Sequence, residues 1–336
     1  MGQTLSEPIV DKETESAEDT RYAWGSSSMQ GWRISMEDAH TTLLRLTTPS
    51  HIPSPPTQPP TVAFFAVYDG HGGAAVAQYA GSQLHNRIAS DPAFIAGNFE
   101  ESIRSGYLGI DVDLRADKAF VNDPSGCTAV CAILTDDGKV ICGNAGDSRA
   151  VLSVKGVAEP MSYDHKPVNP EESRRIVAAG GFVEFGRVNG NLALSRAIGD
   201  FDFKQSPQLP AEDQIVTVNP EIITRQMTED DEFLVLACDG IWDCMSNQDV
   251  VDFVRVRIAT TRGNLGSICE QIMDRCLASD SELGGVGCDN MTVIIVAILR
   301  GKSLTEWADA IKKDIEVKTG KTVQEVEEEQ TRQPPE

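Results

Sequence analysis

The sequence predicts an α+β fold in which mainly antiparallel β-sheets are covered by α-helices. Short apolar runs such as FFAVY, FLVLA and MTVIIVAIL are bounded by turn residues, which is typical of buried strands. DDG and GDS turns separate the strands near 127–134, 138–143 and 149–154, and such short connections indicate an antiparallel meander. Other segments carry apolar residues at spacings of three and four, the period of helices that pack on a sheet.

The amino-terminal part of the chain precedes the predicted folded domain. Residues 1–21 are polar and acidic, and we expect a flexible arm there. The first residues, MGQTLS, fit the N-myristoylation pattern, although short patterns of this kind also arise by chance. No linker interrupts residues 22–300, which favours one domain. Within it, the proline-rich segment 47–61 cannot form regular ladder hydrogen bonds at its prolines and is expected to be a surface loop.

Helices are predicted where apolar spacing and capping residues agree. Their predicted starts are Gly73, Asn98, Asn169, Asn247, Leu265 and Ser303. The helix after Asn169 has proline at its first position and is stopped by a Gly-Gly pair after about ten residues. The last helix opens with the capping box S-L-T-E. Residues 301–336 are therefore expected to hold one helix followed by an acidic, disordered tail.

Charge and cysteine content limit the classes of function. With 29 basic and 51 acidic residues the chain has a net charge of -22, which opposes binding to nucleic acid and leaves acidic sites for cations. The eight cysteines form no C-x-x-C pair and mostly lie in apolar segments, as expected of reduced core thiols. We expect no nucleic-acid partner, a cytoplasmic and/or nuclear location, and at most weak membrane association through an acyl chain on Gly2.

Aspartates lie at the ends of three apolar runs: Asp69 after FFAVY, Asp239 after FLVLAC and Asp289 before MTVIIVAIL. One such aspartate is usually a turn residue or helix cap, but three together indicate a metal site at the rim of a sheet. Several carboxylates without a histidine or cysteine cluster suit Mg²⁺ or Mn²⁺ better than zinc. Further acidic candidates, each of which alone would be an ordinary surface or turn residue, are Glu37, Asp38, Asp147 and Asp243.

Eight motifs are spaced along the chain: SSMQGWRISMEDAH, FFAVYDGHGG, SGCTAV, CGNAGDSRA, DHKPVNPEE, RVNGNLALSRAIGDFDFK, LACDGIWD and DNMTV. In these motifs and in their order the chain resembles the type 2C (PPM) family of metal-dependent Ser/Thr protein phosphatases. The resemblance covers about residues 22–300. It implies a four-layer α-β-β-α sandwich, in which two stacked, mainly antiparallel sheets are flanked by helices, with an irregular flap over 163–205. It also implies hydrolysis of phosphoserine and phosphothreonine in proteins by a hydroxide that bridges two metal ions.

The resemblance assigns metal ligands residue by residue. Asp69 would bridge two Mg²⁺ or Mn²⁺ ions, and the carbonyl of Gly70 would bind one of them. Asp239 and Asp289 would bind the other ion, and Glu37 would act largely through metal-bound water. A weaker third ion would be held by Asp239 together with two further residues, Asp147 and Asp243.

The resemblance also assigns the catalytic residues. Arg33 would bind the substrate phosphate through its planar guanidinium, and the alternative is a surface ion pair with Glu37 or Asp38. His71 would protonate the serine or threonine oxygen as it leaves. Residues expected to have no direct catalytic role are His165, Cys238 and Cys288.

Two alternative functions stay open at this point. One is a catalytically inactive pseudophosphatase that serves as a scaffold, and the other is a two-metal phosphodiesterase. The metal ligands and Arg33 are all present, which favours an active enzyme, and the negative net charge opposes a nucleic-acid substrate. The expected partners are phosphorylated proteins, such as kinases or other signalling proteins, and the protein is expected to be a monomer.

Overall fold

The computed structural model describes residues 4–49, 61–281 and 285–332. The strands in this part of the chain are β1 (Thr4–Glu18), β2 (Tyr22–Arg33), β3 (Ala39–Leu46), β4 (Val62–Tyr68), β5 (Gly70–His71), β6 (Gly126–Cys127), β7 (Ala129–Thr135), β8 (Lys139–Ala145), β9 (Arg149–Val154), β10 (Val157–Pro160), β11 (Val183–Glu184), β12 (Arg187–Val188), β13 (Ile198–Gly199), β14 (Glu221–Gln226), β15 (Asp231–Ala237) and β16 (Met291–Ile298). The helices are α1 (Ala75–Ser90), α2 (Pro92–Ile95), α3 (Phe99–Ala116), α4 (Pro170–Ala178), α5 (Asp239–Trp242), α6 (Asn247–Thr261), α7 (Leu265–Cys276), α8 (Leu304–Thr319) and α9 (Val323–Arg332).

The chain divides into two compact units, each assembled from separate stretches of sequence. The first unit comprises Met1–Met36, Ala150–Pro160 and Met227–Glu336, and the second comprises Glu37–Arg149 and Met161–Gln226. Each unit has its own main sheet and its own apolar core. The single domain expected over 22–300 stays a prediction.

In the first unit the main sheet has the strand order β1-β2-β16-β15-β9-β10. Its central strand β16 is buried along its whole length. Alternate residues of β16 point to the same face, so Val293 and Ile295 share one core with Val254 of α6, Ile268 of α7 and Trp307 of α8. The helices therefore cover the apolar face of this sheet.

In the second unit the main sheet is antiparallel throughout, with the order β14-β8-β7-β4-β3. Phe64 and Tyr68 of β4 pack with Leu84 and Ile88 of α1 and with Ile110 of α3 in one core. A small sheet of order β13-β6-β5 is joined to β4 through β5, which begins directly after Asp69. Because β4 ends at a buried tyrosine, the polar residues after it lie at the edge of the core.

The α+β class, with two main antiparallel sheets and helices packed on them, is confirmed. Helices predicted to start near Gly73, Asn98, Asn169, Asn247, Leu265 and Ser303 are present as α1, α3, α4, α6, α7 and α8. Local signals were sufficient here, since the side chain of Asn98 caps α3 and Ser303 forms a capping box with Glu306. The stacking of the sheets into four layers stays an expectation from the resemblance.

The expected flexible arm over residues 1–21 is wrong for Thr4–Glu18, which form β1. This strand pairs antiparallel with β2, and its side chains also contact α7. Lys12 Nζ lies 2.7 Å from the carboxylate of Asp274, and Thr14 Oγ1 donates to Glu270 Oε1 at 2.7 Å. The acidic composition suggested a solvated segment, but the backbone of β2 supplies hydrogen bonds that no local pattern in β1 reveals.

The acidic tail expected to be disordered after α8 instead contains helix α9. Thr322 and Glu325 cap its start reciprocally, with the backbone N–H of Thr322 donating to Glu325 Oε2 at 2.8 Å. Val323 is fully buried in the core of the first unit. This buried contact orders a segment whose charge pattern suggested disorder, while residues 333–336 lie outside the described residues.

Two other predictions concern segments at or near the gaps. Most of the proline-rich loop at 47–61 and the acylation pattern at Gly2 lie outside the described residues. Within the described part of the chain, every helix is too short or too polar to cross a membrane. The cysteines, all eight of which are described, are free thiols, and seven of them are buried.

Candidate metal and phosphate site

Asp69 in the second unit follows the last residue of β4 directly, so the end of a buried strand positions it. Its neighbour Gly70 packs so closely on the chain at Glu37 that a Cβ atom there would collide with the Glu37 carbonyl oxygen. The backbone N–H of Gly73 donates to Glu37 Oε2 at 3.2 Å. The structure therefore brings Glu37 and the turn 69–73 together, as the resemblance requires.

The carboxylates of Asp38 and Asp69 approach each other in the same place. Their oxygen atoms lie within 4.8 Å, a distance that one cation could bridge. The backbone of Asp69 is held by Thr128, whose N–H donates to the Asp69 carbonyl at 2.9 Å. With Glu37 nearby, the donors are oxygen atoms, which fits Mg²⁺ or Mn²⁺. The residues present in this unit thus fit a hard divalent cation.

His71 is paired with Asp200, a partner that no pattern in the sequence predicts. The ring Nε2 lies 2.7 Å from Asp200 Oδ2, and the side chain of Asp200 is only 6% exposed whereas that of His71 is 28% exposed. Burial opposes protonation of the ring, but the hydrogen bond and the charge of Asp200 outweigh it and raise the pKa of His71. The imidazole therefore has a fixed, negatively charged partner.

Asp147, expected as a ligand of a weaker third ion, is buried in the turn after β8. Its carboxylate contacts the ammonium group of Lys166, from the segment expected to form the flap. A cation that bound Asp147 would therefore compete with a lysine for the same oxygen atoms. The role of Asp147 as a ligand of a third ion stays a prediction.

In the first unit, the guanidinium of Arg33 contacts the carboxylate of Asp289. Asn290 holds the two segments together, since its Nδ2 donates to the carbonyls of Gln30 at 2.8 Å and Ser35 at 3.0 Å. Gly31 has φ +67°, and a Cβ atom there would lie 2.7 Å from the Asp289 carbonyl oxygen. The described partner of the Arg33 guanidinium within this unit is Asp289, and its proposed role in phosphate binding stays a prediction.

Asp239 is the first residue of the one-turn helix α5, which follows β15, and Asp243 is the residue directly after the helix, its C-cap. The Asp243 N–H donates to the Asp239 carbonyl at 2.8 Å, so both carboxylates belong to one helical turn. Asp239 is half-buried and Asp243 is exposed. A Cβ atom at Gly240 would collide with the Asn290 carbonyl, so this glycine lets α5 approach the start of β16. The ligand roles of both aspartates stay predictions.

Residues that we expected to have no catalytic role are held by structural contacts. The buried thiol of Cys238 accepts from the Thr292 N–H at 3.1 Å and donates to the Asn290 carbonyl at 3.6 Å. His165 is buried and accepts from the Gly146 N–H through Nδ1 at 3.2 Å. Burial and the charge of Arg196 lower the pKa of His165 to about 3, so the ring is neutral.

Asp200 and Lys166 were not predicted from the sequence, and Asp38 was an acidic candidate without an assigned ligand role. Asp38 adjoins Glu37 in the motif SMEDAH, but adjacent acidic residues are common on surfaces. Asp200 carries a weak signal, because it follows glycine and lies between two short apolar segments in RAIGDFDF. Nothing in the local sequence of Lys166 indicates its aspartate partner, which is 19 positions away.

The chain is similar to several known proteins over most of its length. The family model described as Protein phosphatase 2C matches residues 22–283. The chain is 55% identical over 307 residues to protein phosphatase 2C homolog 2 of Schizosaccharomyces pombe, covering 91% of this chain and 81% of that protein. It is 56% identical over 303 residues to a probable protein phosphatase 2C of Caenorhabditis elegans, covering 90% and 82%. The crystal structure of a phosphatase from Toxoplasma gondii matches with TM-score 0.71 and 26% identity, covering 86% of this chain and 96% of that chain.

Proposed function

Because this chain belongs to the protein phosphatase 2C family and is a metal-dependent Ser/Thr protein phosphatase, we propose that Glu37, Asp38 and Asp69 hold its catalytic cation. The observation that carries the proposal is the approach of the Asp38 and Asp69 carboxylates at the end of β4. A divalent cation bound there would lower the pKa of water and offset the charge of the phosphoryl group. The same family membership supports a phosphatase over a scaffold or a phosphodiesterase.

Several finer roles belong to this proposal and rest on the resemblance. They are the carbonyl of Gly70 and the carboxylates of Asp239 and Asp289 as further ligands, two Mg²⁺ or Mn²⁺ ions as the cofactor, and a weaker third ion at Asp147 and Asp243. The contact of Lys166 with Asp147 supports the weak binding of the third ion. Asp289 contacts the guanidinium of Arg33. This contact supports the proposed ligand role, because it shows that the Asp289 carboxylate takes a positively charged partner.

Arg33 is proposed to bind the substrate phosphate. Its side chain is 40% exposed, so part of the guanidinium is accessible while it contacts Asp289. A guanidinium presents several N–H donors in one plane, which matches two oxygen atoms of a phosphate group. Arg33 would thus offset charge on the phosphoryl group and orient it for attack by water.

His71 is proposed to act as the general acid. When the P–O bond breaks, its electron pair stays on the serine or threonine oxygen, which is a poor leaving group without a proton. A protonated imidazole at His71 would supply that proton, and the negative charge of Asp200 favours the protonated ring. The product is then the free hydroxyl group of the dephosphorylated protein.

The proposed substrates are phosphorylated kinases and other signalling proteins, and the proposed location is the cytoplasm and/or nucleus. Weak membrane association through an acylated Gly2 and a monomeric state are also proposals. They rest on the acidic composition, the reduced cysteines and the amino-terminal pattern. Mass spectrometry of the protein from cells tests acylation, and light scattering tests the oligomeric state.

The central experiment is phosphate release from a phosphothreonine peptide with and without Mn²⁺. The wild type, Asp69→Asn, Asp239→Asn and the control Asp202→Asn are compared, since Asp202 is exposed and lies outside the proposed site. We expect Mn²⁺-dependent release by the wild type and the control, and its loss in the other two variants. Release by Asp69→Asn at the wild-type rate would contradict the proposed role of Asp69, and an inactive, folded wild type would favour the scaffold.

A further inference from the structure

We propose that Asp200 is a positioning residue that holds the imidazole of His71 in the orientation needed for proton donation to the leaving oxygen. The inference deepens the proposed function and rests on the role of His71 as general acid. Four observations carry it: the hydrogen bond between the two side chains, the small sheet that joins their backbones, the restrained conformation of Asp200, and the different exposure of the two side chains.

The small sheet β13-β6-β5 brings the two residues together. In the register of this sheet, Gly126 of β6 is opposite both His71 of β5 and Gly199 of β13. Asp200 directly follows Gly199, so its side chain reaches His71 past Gly126. A Cβ atom at Gly126 would collide with the Asp200 carboxylate and would lie 2.7 Å from His71 Nε2. Glycine at 126 thus leaves the space in which the pair meets.

The backbone of Asp200 is held in a conformation that few residues adopt. Its φ of +50° lies in the left-handed region, which L-residues other than asparagine and aspartate rarely occupy. Its carbonyl accepts from the Phe203 N–H at 3.0 Å. The preceding Gly199 donates its N–H to Asp111 Oδ1 at 2.9 Å, and Lys204 Nζ donates to Asp111 Oδ2 at 2.5 Å. A buried ion pair therefore anchors the turn that carries Asp200.

The hydrogen bond between His71 and Asp200 determines which ring nitrogen donates the proton. Nε2 is bonded to the buried carboxylate, and the exposed part of the pair belongs to the imidazole. The proton that is transferred to the leaving oxygen therefore comes from Nδ1. The proton on Nε2 stays on the ring and remains hydrogen-bonded to Asp200. After transfer, the ring is neutral and the leaving oxygen has become a hydroxyl group. Without Asp200 the ring could rotate or adopt the other tautomer, and fewer encounters would be productive.

Leaving-group dependence tests this role. A phosphothreonine peptide needs a proton on its alkoxide, whereas p-nitrophenyl phosphate releases a stable phenolate without one. We expect Asp200→Ala to lower kcat for the peptide by about 10- to 100-fold, which is a part of the ~10²–10⁴ that a general acid itself contributes, with KM little changed. For p-nitrophenyl phosphate we expect at most a few-fold change. The matched control is Asp202→Ala, an exposed aspartate two positions away that bonds only Gln205 in the described hydrogen-bond network.

A double-variant cycle separates positioning from general stabilisation. If Asp200 acts through His71, then His71→Ala and His71→Ala/Asp200→Ala should have the same kcat for the peptide. Asp200→Asn keeps an acceptor of the same shape without the charge, and we expect its kcat to fall between those of Asp200→Ala and the wild type. It also carries the test if Asp200→Ala does not fold, as circular dichroism would show.

A readout that does not depend on turnover is ¹⁵N NMR of the His71 ring. We expect the neutral ring of the wild type to carry its proton on Nε2, and Asp200→Ala to lose that preference. Equal losses of kcat on the peptide and on p-nitrophenyl phosphate in Asp200→Ala would overturn the inference. So would additive losses of kcat in His71→Ala/Asp200→Ala. Wild-type activity with an unaffected His71→Ala variant would instead remove the proposed role of His71, and an inactive wild type would remove the proposed function as a whole.

Discussion

The guanidinium of Arg33 contacts the carboxylate of Asp289, 256 positions further along the chain. The contact joins the proposed phosphate-binding residue to a proposed metal ligand. Asn290 reinforces it by bonding the carbonyls on both sides of Arg33, at Gln30 and Ser35. The segment 289–290 therefore positions Arg33, and Arg33 offsets the negative charge of Asp289 in that segment. These contacts hold the planar N–H donors of the guanidinium in a fixed place.

Substitution of Arg33 should impair activity on phosphopeptides. We expect Arg33→Ala to lower kcat/KM by on the order of 100-fold, because removal of one partner of a hydrogen-bonded charge pair costs about 2–5 kcal/mol. Arg33→Lys should recover little, since an ammonium group lacks the planar set of donors. Steady-state kinetics on a phosphothreonine peptide measures both effects. Substitution of Arg45, an exposed arginine of β3, is the control. Full activity of Arg33→Lys would argue against the binding of two phosphate oxygen atoms by the guanidinium.

Divalent cations should stabilise the folded protein through Asp69. At a Mn²⁺ concentration of 100 times Kd, binding contributes about 2.7 kcal/mol, which corresponds to roughly 4 °C in Tm for a chain of 336 residues. We expect Asp69→Asn to lose most of that shift, because it removes a negative oxygen donor. Thermal melts with Mn²⁺ and with excess EDTA measure the shift. An equal Mn²⁺ shift in Asp69→Asn and wild type would place the cation elsewhere.

Removal of Lys204 should destabilise the second unit. Lys204 and Asp111 are both buried, and burial raises the pKa of Asp111 in spite of the lysine. Lys204→Met leaves a buried carboxylate without its ammonium partner, and we expect a loss of about 3–5 kcal/mol in the free energy of unfolding. The double variant Lys204→Met/Asp111→Asn should regain much of it, since asparagine can still accept from Gly199. Urea unfolding measures both, and a double variant no more stable than Lys204→Met would contradict this account.

Acid should destabilise the protein through His165. Burial of the ring and the charge of Arg196 lower its pKa from 6.5 to about 3. The unfolded chain therefore binds a proton at a higher pH than the folded protein, so the stabilisation is complete above pH 6.5 and is lost as the pH falls towards 3. Between pH 7 and pH 5 we expect the wild type to lose about 2 kcal/mol more than His165→Asn, whose amide oxygen can accept from Gly146.

Urea unfolding at several pH values between 5 and 7 measures this difference. Glu172 does not interfere in that range. Burial opposes its ionisation, but the hydrogen bond and charge of Arg196 lower its pKa from 4.5 to about 2, so its contribution is lost only below about pH 4.5. Parallel pH profiles for the wild type and His165→Asn would show that His165 is not the group responsible.

Some parts of the fold and site were predictable because their signals are local. Asp69 was identified from a buried run followed by D-G-H-G-G, and the structure places it at the end of β4 with Glu37 beside the same turn. The predicted helices followed from spacing and caps within about 15 residues of sequence. β1 and α9 were not predicted, because their order depends on β2 and on a buried contact of Val323 rather than on their own composition.

The order of motifs in the chain was enough to identify the family, the chemistry and the residue types involved. Strand ends, caps and glycine turns act over a few residues, and a linear sequence displays them directly. Folding was needed to show that Asp200 meets His71 across 129 positions, that Lys166 pairs with Asp147 and that Arg33 contacts Asp289. Such pairs depend on which strands become adjacent and how closely glycines let them approach, and both are properties of the packed chain.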